Sequence, residues 1–164
     1  MKWEELPQQQ CSIARSLSVI GDRWTLLILS DCFLGVRRFE TFRERLGISR
    51  TILSDRLNLL ERENVVRKQA YQEKPTRYEY KLTDKGRELY PVILSLVKWG
   101  DSHYADEAGI PIVVNHNTCG HDFHAQMTCS ECGEPVNARN VTARKRDEVD
   151  GFPTVERGPV EQAG

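Results

Sequence analysis

Residues 39–64 read FETFRERLGISRTILSDRLNLLEREN, and this stretch decides the architecture expected for the chain. Phe39, Phe42 and Leu46 recur three and four residues apart, and so do Leu53, Leu57 and Leu60. That spacing gives each of two helices one apolar stripe. Gly47 between them suits the left-handed position that closes a helix, because it has no Cβ to clash. Ser49 can cap the second helix by accepting a hydrogen bond from one of its first free backbone amides. Two short helices on a tight glycine turn form a helix-turn-helix. With the leucines turned inward, the other face of the second helix shows Thr51, Ser54, Asp55 and Asn58, flanked by Arg50 and Arg56. Those side chains carry the donors and acceptors that read base edges in a major groove. The same pattern also fits a solvated face on a small bundle, so the neighbouring segments must decide.

Charge separates the two readings. The 164-residue chain has a net charge of −1, which argues against nucleic acid until it is divided along the sequence. Residues 37–87 hold fourteen Lys or Arg against eight Asp or Glu, and the remainder hold nine against sixteen. Positive charge is therefore concentrated on the segment that carries the helix-turn-helix, where it can supply phosphate attraction. A composition that is 39% hydrophobic and 29% charged fits a globular chain. No apolar run approaches the roughly 20 residues of a membrane span. The opening MKWEELPQQQ lacks the apolar core of a signal peptide. A cytoplasmic protein is expected. Its five cysteines are then thiols, metal ligands or redox centres rather than a disulfide framework.

Working outward, residues 1–10 form an N-terminal arm. Cys11 to Ile20 predicts a first helix, and Gly21-Asp22 breaks it. Trp24 to Leu34 is apolar nearly throughout and predicts the buried central helix, closed by Gly35. Arg37 and Arg38 follow, placed to meet backbone phosphate, and Arg43 lies one turn into the next helix. After Asn64 the period changes. Val65–Lys68 and Tyr78–Leu82 are rich in β-branched and aromatic residues and predict two strands. The segment 71–77 reads as the loop between them, with Lys74, Thr76 and Arg77 at its tip. A hairpin directly after a recognition helix is the wing of a winged helix, although an exposed hairpin with ordinary surface charge reads alike. Thr83 caps a further helix that runs to about Tyr104, with a kink or restart at Pro91. The apolar positions of this helix go nearly all the way round. Two coverings are open: the same helix and the first helix of a second copy, or residues 105–145 of the same chain.

Taken together, residues 11–104 resemble the HxlR family of bacterial winged-helix transcriptional regulators, relatives of the MarR type. The resemblance rests on Cys11, Gly21-Asp22-Arg23-Trp24-Thr25 with Ile28-Leu29, Arg38-Phe39, Gly47-Ile48-Ser49, Leu53, Arg56-Leu57 and Leu60-Glu61. It continues through Val66-Arg67, Pro75, Tyr80, Leu82-Thr83, Gly86, Leu89 and Trp99-Gly100. Two departures are Asn64-Val65, where the family commonly has a glycine, and Asp22, where it has a smaller residue. The resemblance implies a winged helix, a homodimer formed through the first helix and helix 84–104, and binding to promoter DNA. The expected reading is a repressor that recognises a palindromic site with helix 49–63 and wing 71–77. Its DNA-binding set is Arg37, Arg38, Arg43, Ser49, Arg50, Thr51, Ser54, Asn58, Lys74, Thr76 and Arg77.

Beyond a linker at 105–111, residues 112–145 carry two further signals. His116-x2-Cys119-Gly120 and Cys129-x2-Cys132-Gly133 are two knuckles, each able to bring a pair of ligands together on a glycine turn. Four such ligands are the tetrahedral set that zinc prefers. The segment resembles a small β zinc ribbon, with His121 or His124 as substitutes for His116. With no open coordination position the zinc would be structural. The other reading is a hairpin whose cysteines are buried thiols or a disulfide. Residues 146–164 turn charged and Gly/Pro-rich and are expected to be disordered.

Cys11 opens a helix, where the positive dipole end favours a reactive thiolate. In the family a cysteine here sometimes senses oxidants or electrophiles, and the other reading is a packed side chain. Nothing in the sequence supports catalysis: there is no phosphate loop, no paired nucleophile and base, and no open metal site. The alternative to a regulator is a protein-interaction module built on the winged helix and ribbon. The fold class expected is mainly α with a small β wing, plus the ribbon-like extension.

Overall fold

Leu53, Leu57 and Leu60 are all fully buried, and the core is built around them. The computed structural model describes residues 3–144. The tail 146–164, expected to be disordered, lies outside the described residues. A 3-10 helix, Trp3–Gln8, precedes α1 (Ser12–Ile20), α2 (Arg23–Phe33), α3 (Phe39–Leu46) and α4 (Arg50–Arg62). Strands β1 (Val66–Glu73) and β2 (Thr76–Leu82) follow, then α5 (Asp84–Arg87), α6 (Tyr90–Tyr104), β3 (Val114–His116) and β4 (His121–Phe123). The architecture is mainly α with a small antiparallel wing.

Capping explains where the helices begin. Asp22, a break between helices by sequence, is the cap of α2: its carboxylate accepts from the amides of Trp24 at 3.0 Å and Thr25 at 3.4 Å. Ser49 Oγ accepts from Ile52 N at 3.3 Å and opens α4. Gly47 closes α3 at φ 62°. Asn64 ends the turn after α4 at φ 54°, a left-handed conformation that asparagine tolerates better than most side chains.

The buried cluster joins Ile28 and Leu29 of α2, Phe42 of α3, Ile48, Leu53, Leu57 and Leu60 of α4, Val65, Val66, Tyr80 and Ile93. It therefore locks the helix-turn-helix to the central helix, the wing and α6. Asp31 is buried at the α2–α3 contact and accepts three hydrogen bonds from Arg45 at 3.0–3.2 Å. A buried carboxylate is tolerated only with such a partner.

The wing is longer than its sequence suggests. Strands were expected at 65–68 and 78–82 with a loop at 71–77, but pairing runs from Val66↔Leu82 out to Glu73↔Thr76. Tyr71 is passed over in the register between Ala70 and Gln72, a bulge that realigns the polar outer residues for pairing. Only Lys74 and Pro75, joined by a cis peptide, remain between the strands. Arg38 bridges to Glu79, so the segment before α3 borders the wing.

The restart expected at Pro91 is observed. Thr83 caps the four-residue α5 by accepting from Gly86 N at 3.0 Å, and Pro91 sits in the first turn of α6. One side of α6, at Leu94, Val97 and Asp101, faces Ile110–Val114 and Phe123–Ala125, and Lys98 donates to the Ala125 carbonyl at 3.0 Å. Another stripe, Val92, Leu96 and Trp99, is exposed among the described residues, the last at 56%. The chain divides into two compact units, Met1–Ala125 and Gln126–Gly164. The division falls inside the segment 112–145 read above as one extension. In the second unit, Val136 N donates to the Met127 carbonyl and Cys129 N to the Glu134 carbonyl, each at 2.9 Å. No helix among the described residues is long and apolar enough to cross a membrane.

Candidate nucleic-acid interface

Helix α4 buries Leu53, Leu57 and Leu60 completely, while Ser49, Arg50, Thr51 and Asn58 are exposed and Ser54 and Leu59 are half-buried. The polar face read from the sequence thus lies at the surface. Ser49 spends one lone pair on the helix cap, and its hydroxyl proton stays free to donate to a phosphate. Arg56 has a different role. Its Nε lies 3.2 Å from Asp22 Oδ1, an ion pair that ties α4 to the start of α2.

The cations before and within α3 separate. Arg38 lies with its guanidinium carbon 4.8 Å from the centroid of the Tyr71 ring. It shares a groove with Glu40, Lys68, Tyr71, Thr76 and Arg77, between the start of α3 and the wing. Arg37 is elsewhere. It lines a pocket with Cys32, Phe33, Arg67, Lys81, Arg87 and Tyr90, where the end of α2 meets the base of the wing and the start of α6. Arg37 and Arg38 thus line different pockets, although the charges of both lie close enough to lower the Glu79 carboxyl after the larger effect of Lys81. They are neighbours in an extended segment, and successive side chains there point to opposite sides. Lys74 is exposed at the wing turn, beside Thr76 and Arg77.

Glu40 connects the groove to α4. Its Oε2 accepts from Arg43 Nε at 2.8 Å, and its Oε1 lies 2.7 Å from Arg50 Nη2. The Arg50 guanidinium also lies 5.8 Å from the centroid of the Phe39 ring. Desolvation pulls the Glu40 carboxyl upward, but the Arg43 hydrogen bond and the charges of Arg50 and Arg43 outweigh it and hold it below the usual carboxylate range. Arg43 and Arg50 are thereby joined on one carboxylate, which also lines the groove of Arg38, Thr76 and Arg77. Asn58 lies at the other end of α4, in a groove with Asp55, Arg62, Glu4 and Pro7.

Three residues of this surface escaped the sequence reading. Glu40 had an available signal, the three-residue spacing to Arg43, but its pairing with Arg50 crosses the turn. Lys68, with Nζ 4.4 Å from the Tyr78 ring centroid, and Tyr71 become recognisable only once the wing register is known.

The cysteines and histidines fall into separate environments. Cys11 is exposed and stands just before α1 without capping it through its side chain. Burial first, and the Asp31 charge second, push the Cys32 thiol up to about 12, so it is protonated at neutral pH. In the first unit, Cys119 N and Gly120 N donate to the His116 carbonyl at 3.1 and 2.7 Å, Gly120 has φ 74°, and His116 Nδ1 lies 3.3 Å from Cys119 Sγ. His121 pairs with His116 across β3–β4, and His124 lies just beyond β4. In the second unit, Gly133 has φ 75° and donates to the Cys129 carbonyl at 2.9 Å. The amides of Cys132 and Glu131 aim at the Cys129 sulfur and hold its thiol below the ordinary range. Each is a knuckle with two donors. No group of three or more metal-ligating side chains is assembled among the described residues.

Comparison with known proteins gives a consistent result. The family model of the HxlR-like helix-turn-helix matches residues 19–108. An HTH-type transcriptional regulator of Mycobacterium tuberculosis, Rv3095, is 44% identical over 131 residues, 80% of this chain and 83% of that protein. The HTH-type transcriptional regulator YdeP of Bacillus subtilis is 35% identical over 94 residues, covering 57% and 73%. Among solved structures, PA1607, described there as a candidate transcription factor, superposes with a TM-score of 0.74 at 31% identity, covering 85% of this chain and 97% of that one. The redox regulator HypR in its oxidised form gives 0.55 at 32% identity, covering 58% and 100%.

Proposed function

Since the chain belongs to the HxlR-like helix-turn-helix family and is a DNA-binding transcriptional regulator rather than an enzyme, we propose that it works in the cytoplasm as a homodimeric repressor reading a palindromic promoter site. Helix α4 enters the major groove with Arg50, Thr51, Ser54 and Asn58. Arg38, Arg43 and Ser49 hold phosphates, and the wing turn at Lys74, Thr76 and Arg77 grips the strand alongside. The observation that carries this reading is the division of α4 into a fully buried leucine side and a polar side at the surface, linked through Glu40 to the Arg38–Arg77 groove. The dimer is formed by the α6 stripe of Val92, Leu96 and Trp99 together with Ile13 and Leu17 of α1, all of them exposed apolar side chains. Selection from random duplexes tests the proposal. A two-fold site should be enriched, and Arg50→Ala should relax base preference at one position per half-site, by about 1–3 kcal/mol. Enrichment of a single asymmetric site would refute the dimeric reading. A lack of any enriched site would favour the protein-interaction module.

Zinc is the proposed occupant of the two knuckles, with His116, Cys119, Cys129 and Cys132 as its ligands. Support comes from the donor chemistry and from the glycine turn closing each pair. The role is structural, so bound metal would order the segment rather than activate water. Metal analysis of protein purified in zinc-containing medium should find about one zinc per chain. Cys129→Ser should lose it, and a metal-free wild type would end the proposal.

Cys11 is proposed as an oxidant-sensitive input, supported by its exposure before α1 and by the named redox role of HypR. Peroxide should release DNA from the wild type and leave the Cys11→Ser complex intact. Equal release from both would remove Cys11 from the mechanism.

A further inference from the structure

Arg43 and Arg50 both belong to the DNA-binding set proposed above, and both are engaged by the same acid. One carboxylate, Glu40, holds both, with a separate oxygen for each: Oε2 to Arg43 Nε at 2.8 Å and Oε1 to Arg50 Nη2 at 2.7 Å. The three side chains come from both helices of the motif, and the Phe39 ring backs the Arg50 guanidinium. All three are at least 40% exposed in their side chains, so the pairs contribute little to folding. Their consequence lies in what the surface presents to DNA. A carboxylate shared by two guanidiniums stands where a phosphate oxygen would otherwise be drawn.

We propose that Glu40 is a specificity-determining positioning residue, which suppresses sequence-independent phosphate attraction at Arg43 and Arg50 and holds Arg50 with its remaining N–H donors turned outward for a base edge. This rests on the reading of Arg50 as a base-contacting side chain. A guanidinium carries five N–H donors in a fixed fork, and Glu40 engages it at Nη2, so a bidentate contact to a guanine stays open. Phosphates occur at every register of a duplex. A cation left free for them lowers discrimination, whereas one pinned by an internal anion gains little from DNA unless a matching base is present.

The variant Glu40→Gln keeps shape and one acceptor while removing the charge. Titrations of the full chain against an unselected 30-base-pair duplex, at several salt concentrations, provide the readout. Affinity should rise roughly fivefold at low salt, and the slope of log affinity against log salt should steepen by about one. Affinity for the duplex enriched by selection should rise less, so the ratio of selected to unselected binding falls. In a background that carries both Arg43→Ala and Arg50→Ala the same substitution should lose most of its effect. A purely structural Glu40 would shift the unfolding midpoint and leave salt slope and ratio alone. That result, or an equal gain on both duplexes, overturns the proposal. Failure of the underlying reading looks different: Arg50→Ala would then leave discrimination on the selected duplex unchanged whatever Glu40 does.

Discussion

At the residue scale, two glycines show two kinds of requirement. Gly47 is needed for its φ of 62°, and its closing of a helix is visible from its place between two apolar stripes. Gly86 is needed for space. A Cβ there would stand 2.1 Å from the Val65 carbonyl oxygen, so α5 could not approach the end of α4 and the start of β1. Gly86→Ala should therefore destabilise the domain by about 1–3 kcal/mol, the usual cost of overpacking. A denaturant midpoint equal to that of the wild type would show that the backbone gives way freely. The sequence offered Gly86 only as part of a family pattern, because the atom it must avoid belongs to a distant segment.

At the element scale, α4 is fixed by its cap as well as by its leucines. Ser49→Ala removes the acceptor for Ile52 N and should cost about 1 kcal/mol, seen as a lower thermal midpoint. The wing is joined to the core through Tyr80, only 7% exposed. Burial first, and the Glu61 charge second, raise its phenol above the ordinary value of 10.0. The unfolded chain therefore gives up this proton at lower pH than the folded one. The stability is fully present below about 10 and is lost as pH rises through the folded value. Tyr80→Phe should flatten the alkaline limb of the stability–pH curve, and an unchanged limb would assign it to other groups. The strand lengths were not legible, because Gln69 to Glu73 carries no apolar alternation. Their pairing follows from the tight turn and the bulge, which are matters of backbone register.

At the scale of the whole molecule, α6 is covered in part by its own chain and in part by nothing described. The hairpin β3–β4 and the segment before it take the side at Leu94 and Val97, while Leu96 and Trp99 stay outside. Both coverings open from the sequence thus have a place on one helix, that by a second copy as a proposal. Leu96→Asp with Trp99→Asp should convert the proposed dimer to a monomer in sedimentation and weaken binding to a two-fold site by about tenfold or more. A double variant that sediments and binds as the wild type does would move the interface elsewhere.

Local rules were enough for the order of elements from α1 to the wing, the helix-turn-helix, both of its caps, the buried leucines and the concentration of positive charge, but not for the 3-10 helix at Trp3–Gln8, which the sequence showed only as an arm. Periodicity, turn chemistry and charge counting act within a few residues, so one sequence displays them. Tertiary structure alone decided that Arg37 leaves Arg38, that Arg56 is committed to Asp22, and that Arg43 and Arg50 share Glu40. Each of these depends on which side chains from separate segments come within about 4 Å, and that distance is set by how the helices pack around the core.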